Sequence, residues 1–116
     1  MKVLLDENLA LRLRKNLGAY EVFTVGYRGW AGLKNGELLR IAEENGIEVF
    51  LTGDRTLLHE QNLKGRNLGI VALSSVEWEI LKNCLPVIVA AIENALPGSF
   101  QEVDCGTFSR KKTAGE

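Results

Sequence analysis

One histidine, one methionine, two prolines and two cysteines among 116 residues leave several chemistries without their usual residues. With no second histidine beside His59, a histidine-based zinc site or a histidine-based triad is not expected, and His59 reads as an exposed side chain. Cys84 and Cys105 lie far apart, outside any Cys-x-x-Cys or Cys/His spacing. They read as small hydrophobes or free thiols of a reducing compartment. No stretch approaches the roughly 20 apolar residues that span a bilayer, so no membrane partner is expected. The first acidic residue comes at position 6, which argues against a signal peptide, and the expected location is cytoplasmic. Charge of one sign is also lacking: the formal net charge is −1, so any nucleic-acid binding must come from a local patch. Apolar content of 46% and charged content of 25% are those of an ordinary globular chain, and the length suits one domain over 1–116. There is no internal repeat and no low-complexity linker.

What the sequence does have is concentrated in its opening, Met1-Lys-Val-Leu-Leu-Asp-Glu-Asn8. Val3, Leu4 and Leu5 form a continuous apolar run, the pattern of a strand buried on both faces of a parallel sheet. Asp6, Glu7 and Asn8 then fall at its carboxyl end, where open α/β sheets place their ligand crevice. A plainer reading stays open: Asp6 and Asn8 can turn the chain and cap the following helix.

Further elements follow in order. Leu9, Leu13 and Leu17 repeat at helical spacing, and Gly18 supplies a stop. Glu21–Val25 reads as a second strand. The stretch from Gly26 to Asn35 is irregular, with three glycines, and carries Arg28 and Trp30; its Trp reads either as a contact residue or as a lid over a core edge. Asn35 is placed to cap a helix striped by Leu38, Ile41 and Ala42, with Glu37 in its first turn and Gly46 after its end. Ile47–Thr52 is a third strand, turning at Gly53-Asp54-Arg55, and Gly69–Leu73 a fourth. Ser74 and Glu77 fit a capping box for a helix that runs toward Leu96 and is kinked or split at Pro86. Its nearly all-apolar half, Leu85 to Ile92, suits a core or a dimer face. Phe100–Val103 and Thr107–Arg110 suggest a final strand or small hairpin, followed by a basic tail from about residue 110.

Asp6 and Asp54 thus both end strands, and right-handed βα units bring them side by side if the first and third strands are neighbours. Two or more acids at such an edge suit Mg2+ or Mn2+, which take oxygen ligands and keep several waters. Such an ion activates water against a phosphodiester. Arg55 by adjacency, and Arg28, Lys64 and Arg66 by loop position, are the candidate phosphate contacts.

The chain resembles PIN-like domains, the VapC-type and related metal-dependent ribonucleases, and among them the subgroup opening on Asp-Glu-Asn. The likeness covers almost the whole length. It is carried by Val3-Leu-Leu-Asp-Glu-Asn8, by Asn35-Gly-Glu-Leu-Leu-Arg-Ile-Ala-Glu-Glu-Asn-Gly46 leading into Val49-Phe-Leu-Thr-Gly-Asp54, and by the closing Pro97-Gly-Ser-Phe-Gln-Glu-Val103 with Gly106-Thr-Phe-Ser-Arg-Lys-Lys112. It implies a three-layer α/β/α sandwich around a mostly parallel sheet of about 4–5 strands with a C-terminal hairpin. It also implies Asp6 and Asp54 as metal carboxylates, Thr52 as a hydroxyl holding the site, and Glu7 and Asn8 as the subgroup's opening motif. Two positions depart from the pattern. Asn35 stands where the family has an Asp at the helix start, and Thr56 stands where it has a further Asp after Asp54. Asn35 offers the metal a carbonyl oxygen without charge, and Glu37, two residues along a helix, substitutes only partly.

The resulting expectation is an endoribonuclease, the toxin half of a toxin–antitoxin pair, with Asp6, Asp54, Glu7 and Glu37 as catalytic residues and Asp6, Asp54 and Asn35 on the metal. Asn8, Thr52, Arg55, Arg28, Lys64 and Arg66 face the RNA. The resemblance implies a small antitoxin protein and a homodimer as partners. The first alternative is a decayed PIN-like module that binds RNA or antitoxin without cleaving. The second is a receiver-like phosphoacceptor, with Asp6 and Glu7 on magnesium, Asp54 as acceptor, and Ser74 or Ser75 nearby.

Overall fold

A computed structural model describes residues 1–57 and 62–106. His59, the expected hairpin partner Thr107–Arg110 and the basic tail lie outside the described residues. Five strands form one sheet: β1 (Lys2–Leu5), β2 (Glu21–Thr24), β3 (Val49–Thr52), β4 (Gly69–Leu73) and β5 (Phe100–Val103). Their spatial order is β2-β1-β3-β4-β5 and every pairing is parallel. Val3 pairs with Val49, Phe50 with Ile70, and Leu73 with Val103. The strands read as unbroken apolar runs because both faces are covered, as in parallel sheets generally.

Side chains alternate between two separate cores. One face carries Val3, Leu5, Val49, Leu51, Val71 and Leu73, the other Leu4, Phe50 and Ile70. Over the first face lie α1 (Arg12–Lys15), α3 (Trp78–Leu81) and α4 (Leu85–Glu93); over the second lies α2 (Asn35–Glu44). The architecture is the three-layer α/β/α sandwich that the sequence predicts, with all five strands parallel.

The local chemistry of each helix differs in detail from the sequence reading. Leu9, Leu13 and Leu17 are all buried as the spacing requires, yet regular helix is confined to one turn within that stretch. Lys34, extended, precedes α2, so Asn35 is its first helical residue rather than its cap; Gly46 (φ 79°) ends it in the left-handed region. The Ser74–Glu77 capping box does not form. Ser74 Oγ instead accepts the N–H of Cys105 (2.7 Å), while Ser75 Oγ accepts that of Glu77, and the helix starts at Trp78. Pro86 sits in the first turn of α4, so the predicted break separates α3 from α4. Both cysteines are free, and burial first, then the neighbouring Cys84 thiol, pushes Cys105 up to about 12.

The connections do not share one hand. β1 steps to β2 beneath α1, whereas β2 to β3 and β3 to β4 step the other way on the α2 side, where Leu57, Leu63 and Leu68 are buried. These three crossovers have the same hand. β4 reaches β5 by α3 and α4 on the α1 side, which gives the last crossover the opposite hand, an arrangement rare in βαβ units. The reason lies in coverage. Among the described residues no helix follows β5, so Val49, Leu51, Val71 and Leu73 are roofed only if the β4–β5 connection passes over them. Ile88, Ala91 and Ile92 of α4 do this, and Tyr20, just before β2, donates its hydroxyl proton to Glu93 at the end of α4.

At Gly69 an added Cβ would lie 2.8 Å from the Leu96 carbonyl oxygen and 3.0 Å from Ser99 Oγ. Gly69→Ala should lower stability by about 1–3 kcal/mol in urea unfolding, the cost of overpacking. Gly26→Ala, whose Cβ would meet nothing within 4 Å, should stay within about 0.5 kcal/mol. The Tyr20 phenol is pushed up to about 12, chiefly by its hydrogen bond to Glu93, then by burial and by the charge of Glu93. The folded state favours the neutral phenol, so this contribution is complete below the unfolded value of about 10 and is lost as the pH rises toward 12. Glu93→Gln should bring the late phenolate absorbance transition back toward about 10.

Candidate functional site

In the order β2-β1-β3-β4-β5, the chain leaves β1 in one direction and β3 in the other. Their carboxyl ends therefore border the switch point of the sheet, where ligands of open α/β folds are bound. Asp6 follows β1 and Asp54 follows β3 by two residues. The Asp6 N–H donates to the Leu51 carbonyl (2.9 Å), extending the β1–β3 ladder up to the acid itself.

Thr52 joins the two acids. Its side chain is fully buried, and its Oγ1 donates to Asp6 Oδ2 (2.7 Å) while accepting the N–H of Asp54 (3.0 Å). A buried hydroxyl satisfied on both sides fixes its neighbours' positions, because losing either bond would strand a polar group away from water. Asp6 Oδ1 takes the N–H of Glu7 (2.9 Å), so both oxygens of this carboxylate are oriented by the protein. Asp54 Oδ1 takes the N–H (2.9 Å) and the hydroxyl (2.6 Å) of Thr56. Thr56, one of the two departures from the PIN-like pattern, thus orients Asp54. Gly53 between them is needed for space: a Cβ there would stand 2.4 Å from Val76 Cγ1, so the loop after β4 closes onto this turn.

The other candidates divide by the edge of the sheet they occupy. Glu7 and Asn8 are exposed beside Asp6, and Arg55 is exposed beside Asp54, all at the carboxyl edge. Asn35 and Glu37 lie in the first turn of α2, Glu37 exposed. Lys64 and Arg66 precede β4 and so lie at the amino edge, away from the acids. Arg66 is there paired with Glu43 (2.6 Å), whose other oxygen takes the Asn67 N–H. Burial raises the Glu43 carboxyl, but the Asn67 N–H and the Arg66 guanidinium together outweigh it and hold it below its ordinary value. Arg28 is also turned from the acids: it lies over the Trp30 and Phe23 rings (4.9 and 5.3 Å) and donates to Asn45 Oδ1 at the far end of α2. Trp30 is core, 8% exposed.

Two side chains that the motifs did not single out reach the site. A cleft of about 380 Å³ opens beside Asp6 and Glu7 and is also lined by Leu11, Arg14 and Tyr27. Arg14 was readable only as one charge on the polar side of the first helix, and Tyr27 only as one residue of a glycine-rich loop. Their meeting depends on β1 and β2 being neighbours.

Among the described residues no three His, Cys, Asp or Glu side chains group so as to hold a metal ion, and Glu7 and Glu37 do not complete such a group with Asp6 and Asp54. The described residues thus form no closed protein cage. Two oriented carboxylates still suit a hard cation that retains waters and takes further oxygens from substrate phosphate, as Mg2+ does. Asp6 and Asp54 supply oxygen donors of the kind such an ion takes.

Thr52→Val should remove the link while nearly conserving shape. It leaves Asp6 Oδ2 and the Asp54 N–H each short of a partner, and unfolding in urea should show a loss of about 1–3 kcal/mol. Thr52→Ser, which keeps the hydroxyl, should recover most of it.

The chain matches no protein-family model, no curated protein and no solved structure, so the chemistry has to be argued from the geometry of this edge.

Proposed function

We propose that this protein is a metal-dependent endoribonuclease of the PIN-like kind, acting at the carboxyl edge between β1 and β3. The observation that carries the reading is the Thr52 hydroxyl, which unites Asp6 and Asp54 at the sheet's switch point (2.7 Å to Asp6 Oδ2). Asp6 and Asp54 would hold Mg2+ or Mn2+. Bound there, such an ion neutralises charge on the scissile phosphodiester and lowers the pKa of water at the reaction centre. Thr52 and Thr56 keep the two carboxylates oriented without reorganisation during the reaction. Glu7, exposed next to Asp6, offers the carboxylate that takes the proton of the attacking water. Arg55, adjacent to Asp54, holds a flanking phosphate. A small antitoxin protein and a second copy of the chain are the partners that go with this reading.

The decayed-module reading draws support from one observation. Among the described residues no third carboxylate joins the two acids in a group that could hold a metal ion, and Thr56 stands where a further Asp would add charge. A receiver-like module shares the strand order β2-β1-β3-β4-β5. Against that reading, this chain has Asp104-Cys-Gly106 after its last strand where a receiver carries a lysine, and the acceptor Asp54 would sit in a turn already bonded to Thr56.

The deciding experiment is cleavage of a mixed single-stranded RNA by the purified chain in Mg2+, in Mn2+ and in EDTA. The expected result is metal-dependent cleavage that Asp6→Asn and Asp54→Asn each reduce to the EDTA level. Thr52→Val should cost about 10–100-fold, the usual effect of losing a group that orients a metal ligand. RNA binding without cleavage in either metal would overturn the nuclease and leave the decayed module.

A further inference from the structure

The acids occupy only one end of the cleft beside β1. Its other wall comes from the β2–α2 loop and α1. That loop is closed on itself: the Tyr27 N–H donates to Thr24 Oγ1 (3.1 Å), the Arg28 N–H to the Thr24 carbonyl, and the Trp30 N–H to the Val25 carbonyl (3.0 Å). With Trp30 anchored in the core, Tyr27 is carried outward and is 81% exposed. Arg14 of α1 stands over this ring, its guanidinium carbon 5.8 Å from the centroid. Leu11, 73% exposed, lies on the same cleft. A second depression of about 430 Å³ continues along α1, lined by Leu11, Arg14, Lys15 and Gly18. One surface channel therefore runs from Asp6 and Glu7, past an exposed aromatic ring with a cation on it, to a second cation.

We infer that this channel is the track of single-stranded RNA, with a base stacked on Tyr27 against Leu11 and the neighbouring phosphates on Arg14 and Lys15; the inference rests on the nuclease reading above. An exposed ring backed by cations is how proteins hold unpaired strands, since every base presents a π-face while its phosphates seek positive charge. Arg14 suits the position doubly: it can remain on the Tyr27 ring and still direct N–H groups to a phosphate. A duplex keeps its base faces within its own stack and cannot use the ring. The charges also set a direction. Arg14 and Lys15 attract the strand at one end, while at the other Asp6, Glu7 and Asp54 repel it unless a divalent cation lies between. Strand binding and cleavage thus separate: the channel binds without metal, and only the acid end requires it.

The test is fluorescence anisotropy of the full chain with a labelled, mixed-sequence single-stranded RNA of about 12 nucleotides in EDTA, with the matching duplex as competitor. Tyr27→Ala should weaken binding roughly 5- to 150-fold, the range of one base–aromatic stack, and Tyr27→Phe, which keeps the ring, should restore it. Arg14→Ala should weaken binding and reduce the slope of log K against log salt by about 0.7, one phosphate contact on a single strand. The duplex should compete poorly. Tyr27→Ala and Arg14→Ala proteins with unchanged urea midpoints that bind as the parent does would overturn the inference, as would equal competition by duplex or no binding by the parent chain. Metal-free binding lost in Tyr27→Ala, from a parent that never cleaves, would sink the nuclease and keep the channel. Cleavage that persists with Tyr27→Ala affinity unaltered would do the reverse.

Discussion

Parallel pairing of β1 with β3 is the constraint on which the rest of this structure depends. It requires the chain to leave β1 sideways to β2 and return over the opposite face, which α2 accomplishes. It brings Asp6 to within one hydroxyl of the turn after β3, and the ladder continues to the Asp6 N–H (2.9 Å to the Leu51 carbonyl). Asp6 is therefore positioned by a backbone hydrogen bond of the sheet, and Asp54, in the turn past β3, by the hydroxyls of Thr52 and Thr56. Thr52 can serve as the link because a strand's last inward side chain is both buried and adjacent to the crevice. Had β1 and β3 been separated by another strand, the same residues would face different neighbours and the site would not exist.

Electrostatics then divides the molecule into working and structural ends. A net charge of −1 conceals local segregation. Arg66 is consumed by Glu43 and Arg28 by two rings and Asn45, so these cations secure the layer of α2 on the sheet. Both ties are partly or wholly solvated and individually modest, yet they fix where the positive charge is not. Among the described residues, Arg55 on one side and Arg14 on the other stand near the acids. Local placement, and not total charge, decides what this edge can bind.

Much of this was legible in the sequence. Val3–Leu5 and Gly69–Leu73 read as buried strands because burial on both faces removes the need for alternation. The convergence of Asp6 and Asp54 followed from their places at strand ends on the condition that the first and third strands are neighbours, whereas Thr52 was indicated only by the resemblance to PIN-like domains. Side-chain competition was not legible: Ser74 has the spacing of a capping box, but its oxygen goes to Cys105, a partner 31 residues away. Asn35 likewise has the chemistry of a cap, but the extended backbone at Lys34 shifts the start of α2. Lys64 and Arg66 were counted toward the site as loop cations. In an all-parallel sheet a residue just before a strand belongs to the opposite edge from one just after it, so that assignment fails on topology alone. Arg14 and Tyr27 carry no motif and become neighbours only when β2 is placed beside β1.

The reversed hand of the β4–β5 crossover bears on how the chain reaches this state. On a ribosome, residues through β4 emerge with the α2 face already coverable by segments that precede it. The opposite face, with Val49, Leu51, Val71 and Leu73, stays partly bare until α4 has been made. With only the α1 stretch on that face, a four-stranded nascent form would leave part of its apolar surface uncovered and β4 as an open edge, the kind of species that associates or recruits chaperones. The span from Ser74 to Val103 is the segment that both roofs those side chains and pairs with the β4 edge.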